Sequence, residues 1–239
     1  ICFGNSYEDE CGICDDNPEN DNVNCSGCTD ENANNFNETA IFDDGSCEYD
    51  DHVFLVPFEY ESIQLAINQA QSGDTIEVAA GIYNENINYL GKALTIQSQY
   101  SEELSISEFI INGVDSTSTV IIENTEASLM GFTIQNGYGP GISFDDFISM
   151  AADEEMFDSL ITNVLKGGGI SIGNSNVSLT NLHVTNNMSR NVGAGIGAIN
   201  SNVIIQSCLI DSNIINDGDA LGGGGIAING GNVWMNDVN

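Results

Sequence analysis

The sequence predicts an all-β solenoid of stacked parallel strands, and three observations predict it. The chain repeats itself: GGISIGNSNVSLTNLHVTNN at 168–187 is echoed by AGIGAINSNVIIQSCLIDSN at 194–213, a shift of 26 residues. GGIAINGGNVWMNDVN at 224–239 opens a further copy 30 residues on, and TVIIENTEASLMGFTIQNG at 119–137 is an earlier one. A fixed period of this kind outranks any local assignment. Within a copy the apolar residues alternate, as Val177, Leu179, Leu182, Val184 and again as Val203, Ile205, Cys208, Ile210, which is the periodicity of strands. Finally, the aligned copies form inward rows: Ala127, Val177, Val203, Val233; Phe132, Leu182, Cys208, Val238; and Val120, Ile170, Ile196, Ile226. A single coil cannot bury its own inward face, so equivalent strands stack in parallel around a dry interior.

Between the strands, asparagine recurs as Asn124, Asn174, Asn200 and as Asn176, Asn202, Asn232. Asn tolerates left-handed backbone and its amide bonds to the amide one coil above, so both sets are expected as corner ladders. Ahead of the repeats, VFLVPFEY at 53–60 reads as a lead-in strand. A helix is predicted over 62–71, capped by Ser62, with Ile63, Ala66, Ile67 and Ala70 on one face, and ended by Gly73. The stretch SIQLAINQAQSGDTIEVAAGIYNENINYLGKALTIQS at 62–98 resembles the opening of pectin-lyase-like right-handed parallel β-helix proteins, a group that includes pectin methylesterases, polysaccharide lyases and adhesins. The resemblance implies a right-handed parallel β-helix from about residue 74, with the helix plugging its first open end and hiding strand edges there. It implies no single activity, because one scaffold hosts many.

Residues 139–166 are an insertion. Within it, 148–165 places Met156, Phe157, Leu160, Ile161 and Val164 at helical spacing behind Asp153, Glu154 and Glu155, so a helix is expected. Shorter excursions at Met188–Val192 and Ile214–Leu221 leave from the same side of the coil, and that loop side is the candidate functional face.

Residues 1–50 are different material. Six of the seven cysteines lie here, Cys2, Cys11, Cys14, Cys25, Cys28 and Cys47, among few large apolar residues. An even count argues for three disulfides in an oxidising compartment. The two CxxC pairs are also compatible with zinc, which the lack of histidine in the segment disfavours. Asp15, Asp16, Asp21, Asp30, Asp43 and Asp44 supply hard oxygen ligands, and calcium is the cofactor expected there, although the spacing is not that of an EF-hand. The run from Cys11 to Asp50, with its DDGSCEY ending, resembles Cys- and Asp-rich modules of secreted and cell-surface proteins of marine bacteria, which implies a surface or linker module without activity. The expected domains are therefore 1–50 and a β-helix over 51–239. Because the chain opens at Ile1 and stops at Asn239 partway through a coil, a piece of a longer polypeptide is expected.

Thirty-six acidic residues against three basic ones give a formal charge of −33. Phosphate binding needs Lys and Arg, so nucleic acid and anionic membranes are excluded as partners. No apolar run is long enough to span a bilayer. Lys92, Lys166 and Arg190 are the whole basic complement, a poor set for a lyase acting on an acidic polymer. Pectin methylesterases, which use two aspartates, an arginine and glutamines on neighbouring coils, are not matched, since the inner strands are read as carrying no Asp. The carboxylates Asp145, Asp146, Asp153, Glu154, Glu155, Asp158, Asp211, Asp217 and Asp219 are too many for any glycosidase pair to stand out. His183 reads as a surface residue and Cys208 as a buried apolar one. No catalytic residue is assigned.

In a strand the neighbours of inward residues point outward, so Ser178, Ile204, Trp234 form one outward row and His183, Leu209, Asn239 another. Ile204, Leu209 and Trp234 are large apolar groups on an otherwise polar exterior, and they are expected to be covered by another protein chain or a further copy, with 148–165 as the intramolecular alternative. The sequence thus points to an extracellular or cell-surface, non-enzymatic β-helix module acting in adhesion, display or protein assembly. The alternative is a secreted carbohydrate-active enzyme, a lyase, esterase or glycoside hydrolase with its site on the loop face. Glycans are the second class of partner considered.

Overall fold

The computed structural model describes residues 7–8, 14–15, 25–31, 33–47, 52–99, 104–114, 116–139, 166–190, 193–216 and 224–239. Two compact units divide the chain, Ile1–Asp51 and His52–Asn239.

In the second unit the alternating residues build parallel strands on three main faces. Sheet I holds Ile87–Asn88, Val120–Glu123, Ile170–Gly173, Ile196–Ile199 and Ile226–Asn229. Sheet II holds Val53–Val56, Thr75–Val78, Thr95–Ser98, Glu126–Met130, Asn176–Thr180, the first half of Asn202–Asp211, and Val233–Val238. Sheet III holds Gly81–Asn84, Phe109–Asn112, Thr133–Gln135, His183–Thr185 and the second half of Asn202–Asp211. The loop excursions leave through short strands, Tyr138–Gly139, Met188–Ser189 and Ile214–Ile215, paired as a small fourth sheet. The pairing is parallel throughout this unit, and the architecture is the right-handed parallel β-helix, the hand that parallel crossovers take.

The predicted inward rows are adjacent in the register: Val120, Ile170, Ile196, Ile226 on sheet I, and Ala127, Val177, Val203, Val233 on sheet II. Phe132, Leu182 and Cys208 are all buried in the third row. Each fully buried Ile, Leu or Phe stabilises the stack by about 1.5–3 kcal/mol. In the last coil, Ile228 and Met235 belong to inward rows but are exposed.

In the repeating coils from Val120 onward the corners use left-handed backbone. Asn124, Asn174 and Asn200 have φ of 56°, 48° and 47°, as the sequence predicts. Two further corners were not foreseen: Gly131, Asn181, Ser207, Asp237 between sheets II and III, and Asn136, Asn186, Ser212 after sheet III. The Asn176, Asn202, Asn232 set corrects the expectation of a corner. Asn176 and Asn202 are the first residues of sheet II strands, where their amides ladder along the outer face.

The capping helix α1, Ile63–Gln69, buries Ile63, Ala66 and Ile67 against the first coil. Ser62 Oγ accepts from the Leu65 N–H at 3.2 Å, and the Glu85 carboxylate accepts from the Ile63 and Gln64 N–H groups at 3.0 and 2.9 Å. The helix ends at Gln69 with Ala70 as its C-cap, two residues short of the predicted 71, and Lys92 Nζ donates to the carbonyls of Ile67, Asn68 and Ala70 there at 2.7, 3.1 and 2.7 Å. Helix ends leave such groups unsatisfied unless a side chain meets them. Among the described residues no helix is long and apolar enough to cross a membrane. The helix expected at 148–165 lies outside the described residues.

In the first unit Tyr7–Glu8 pairs antiparallel with Cys14–Asp15, and Ser26–Gly27 pairs parallel with Phe42–Asp43. Cys28 and Cys47 form a disulfide, and Cys25 is also disulfide-bonded. Cys2 and Cys11 lie outside the described residues, and of Cys14 only the strand is described.

Candidate functional site

Alternation aims every second residue of sheet II outward, and the register lines those residues up along the solenoid axis. The central row runs Thr75, Thr95, Ser128, Ser178, Ile204, Trp234. Toward the sheet I corner a second row runs Glu126, Asn176, Asn202, Asn232, joined by side-chain hydrogen bonds: Asn176 Nδ2 to Glu126 Oε1 at 3.2 Å, Asn202 Nδ2 to Asn176 Oδ1 at 2.9 Å, and Asn232 Nδ2 to Asn202 Oδ1 at 3.0 Å. On the other side stand Glu77, Gln97, Met130, Thr180, Gln206 and Asn236. Small hydroxyl residues beside longer amides leave a cleft of about 550 Å³ between the central row and the amide row. It is lined from Thr95 to Trp234, four strand spacings or about 19 Å. At its end Ile204 is 47% and Trp234 55% exposed.

The outward rows of sheet II hold two carboxylates, Glu77 and Glu126. Glu77 lies opposite Gln97 and Met130, and Glu126 is four residues before Met130. That separates their backbones by roughly 16 Å, from 3.3 Å per residue and 4.8 Å per strand. Glycosidases need carboxyl groups about 5–9.5 Å apart across the scissile bond, so these two do not form such a pair.

Sheet III carries a different outward row, Asn84, Asn112, Gln135, Thr185, Asp211. Its members are linked by Asn112 Nδ2 to Asn84 Oδ1 at 2.7 Å and Gln135 Nε2 to Asn112 Oδ1 at 3.1 Å. Asp211 corrects the reading that the inner strands carry no Asp: it closes one, opposite Thr185. Thr185 Oγ1 donates to its Oδ1 at 2.8 Å, and His183 Nε2 lies 3.1 Å from the same atom. The Thr185 hydroxyl and then His183 hold the Asp211 carboxyl below its ordinary value, which suits an anion and not a general acid. Among the described residues it is the one carboxylate on that face. His183 is thus a surface histidine engaged by Asp211.

Sheet I offers no acid–base pair either. Its central outward row is Ser171, Gly197, Ala227, and there is no room for a Cβ at Gly167 beside the Gly197 N–H, or at Gly193 beside Ala227. The glycine-rich segments that lead into sheet I therefore pass directly over the next coil.

Of the basic residues, Lys92 is the helix cap. Cys208 is a buried free thiol whose titration burial pushes up. Ile204 and Trp234 are neighbours in the cleft, whereas Leu209 stands on sheet III opposite His183, since the left-handed Ser207 turns the chain between them. Asp43 Oδ1 accepts from the Gly45 N–H at 3.0 Å and Asp44 Oδ1 from the Ser46 N–H at 2.9 Å. Both acids of the DDGSC run are turn caps, and the Ser46 hydroxyl, followed by the Ser46 N–H, holds the Asp44 carboxyl low. No group of three or more His, Cys, Asp or Glu gathers among the described residues. Asp30 lies in the described loop; Asp16 and Asp21, the Asp15 side chain, and the excursions at 140–165, 191–192 and 217–223 lie outside them. The cleft is what sequence reasoning missed: the outward rows were visible, but the walls follow from pairing strands as much as 50 residues apart.

No protein-family model matches the chain, and no curated protein does. Similar solved structures include a pectin methylesterase mutant in complex with a hexasaccharide, 16% identical over 71% of this chain and 51% of that one, with a TM-score of 0.42. A second pectin methylesterase complexed with a hexasaccharide is 15% identical, covering 80% and 56%, at 0.43. The pectin methylesterase of Erwinia chrysanthemi is 14% identical, covering 80% and 56%, at 0.43. The chain spans about half the length of these solved structures.

Proposed function

We propose that this chain is a secreted β-helix recognition module that holds an extended glycan along the outer face of sheet II without cleaving it. The observation that carries the reading is the cleft itself: a regular amide ladder beside a hydroxyl floor, ending on exposed Trp234. Sites for small polar ligands combine apolar platforms with a few placed hydrogen-bonding groups, and the acid–base pairs that turnover needs are lacking on the described faces. The disulfide at Cys28–Cys47 and the formal charge of −33 support a location outside the cell. The test is to pass purified protein over immobilised polysaccharides while following the soluble products. Retention with no rise in reducing ends, unsaturated ends or methanol is expected; a reproducible rise in any of these overturns the non-enzymatic reading.

A second reading, contact with another protein chain or a further copy, is favoured by the exposure of the outward-facing Leu209 on sheet III. Sedimentation velocity then shows concentration-dependent association, and a single monomeric species at all concentrations removes it. For residues 1–50 we propose calcium binding that draws on Asp15, Asp16, Asp21 and Asp30, with Asp43 and Asp44 also shaping the turn. A lower melting temperature for this module on chelation is expected, and an unchanged one contradicts it.

A further inference from the structure

We infer that the sheet II cleft selects an uncharged β-linked pyranose chain, laid along the solenoid axis with one ring stacked on Trp234; this rests on the recognition reading above and adds the class of glycan. Three features point to it. Each ladder asparagine commits one amide N–H and its oxygen to its neighbours, as Asn202 does with Asn176 and Asn232. The second amide hydrogen of Asn176, Asn202 and Asn232 is not used in the ladder, whereas the Asn202 oxygen is filled by the N–H and Nδ2 of Asn232, so the row offers donors one strand apart to a ligand presenting hydroxyl groups at a short, regular spacing along its length.

Charge is the second feature. The outward rows of sheet II contain no Lys or Arg, and their ionised groups are Glu77 and Glu126, Glu126 standing in the cleft wall. Within a chain of formal charge −33, a uronate polymer meets only repulsion over the roughly 8 Å that salt leaves unscreened. Trp234 supplies the third. It is half exposed beside Ile204, a flat apolar platform at the end of a hydroxyl-lined floor. The C–H face of a pyranose whose hydroxyls are equatorial fits such a surface, while its edge reaches the amides. A protein helix would leave the hydroxyl and amide rows without partners, which costs affinity.

The test uses the fact that the chain has one tryptophan, so its emission reports on the cleft alone. The full chain is titrated with cellohexaose, N-acetylated chitohexaose and hexagalacturonate in the presence of a chelator. A neutral hexasaccharide shifts the emission to saturation, with an affinity constant within about twofold between about 50 and about 500 mM salt. Hexagalacturonate at the same concentrations leaves it unchanged. By calorimetry, Trp234→Ala weakens binding roughly tenfold or more, the loss expected of an aromatic anchor, while Leu209→Ser on sheet III leaves it unaltered. Hexagalacturonate binding as tightly as the neutral chains, without calcium, overturns the uncharged class and leaves the recognition reading standing. Silence from all three sugars, together with no retention on any polysaccharide matrix, overturns both.

Discussion

Asn187→Ala is the sharpest test of how the coils are held together. Asn187 is 1% exposed. Its Oδ1 accepts from the Gly137 N–H at 2.9 Å, and its Nδ2 donates to the Ile134 carbonyl and to Asn213 Oδ1, both at 3.0 Å. Asn213 continues the ladder by donating to the Val184 carbonyl at 2.8 Å. Truncation strands a buried N–H, which costs about 1–3 kcal/mol, and removes one hydrogen bond each from a carbonyl and an amide oxygen, worth about 0.5–1.5 kcal/mol apiece. Allowing for relaxation, the variant is expected to lose about 2–4 kcal/mol. Asn202→Ala breaks an exposed ladder of the same chemistry and is expected to lose no more than about 1 kcal/mol. Urea unfolding followed by circular dichroism measures both as midpoint shifts at constant m-value. A loss below about 0.5 kcal/mol for Asn187→Ala, or equal losses for the two variants, would refute the claim that the buried ladder stabilises the stack.

Lys92→Met removes the ammonium from three helix carbonyls and is expected to lower stability by about 1.5–3 kcal/mol while leaving glycan affinity unchanged; an unaltered urea midpoint contradicts the capping role. Cys208 is expected to resist thiol reagents in the native protein and to react after unfolding; labelling of the folded chain counts against its burial, and more than one thiol after unfolding without reductant counts against the expectation of three disulfides in residues 1–50. Because the folded Asp211 carboxyl lies below its unfolded value of about 3.9, its contribution is present above that pH and lost as pH falls through the depressed folded value. Carbon-13 titration of Asp211 should shift upward in Thr185→Val; equal midpoints in the two proteins would show that the hydroxyl does not hold it.

The parts of the fold legible in the sequence are those set by side-chain alternation. Val177, Val203 and Val233 share an inward row because a period of two repeats at a fixed shift, and the same rule places Ile204 beside Trp234. Local caps were legible too, since Ser62 lies three residues from the N–H it satisfies. What escaped depends on backbone shape or distant partners. Gly131, Asn181, Ser207 and Asp237 share one left-handed corner but no common side chain, so no residue type marks it. Asn187 and Asn213 look like loop residues until stacking joins them as a ladder. Lys92 reaches carbonyls 22 to 25 residues away, and no local pattern announces that contact. The cleft was hidden for the same reason: its rows are adjacent only once five strands are paired.

Holding a glycan without altering it is the central claim, and mass spectrometry of the ligand recovered from a saturated complex tests it most directly. With binding established by the Trp234 emission, a neutral hexasaccharide incubated to equilibrium and released by unfolding is predicted to return at its original mass and in its original amount. Recovery of shorter, unsaturated or de-esterified products from a glycan bound in the cleft would contradict it.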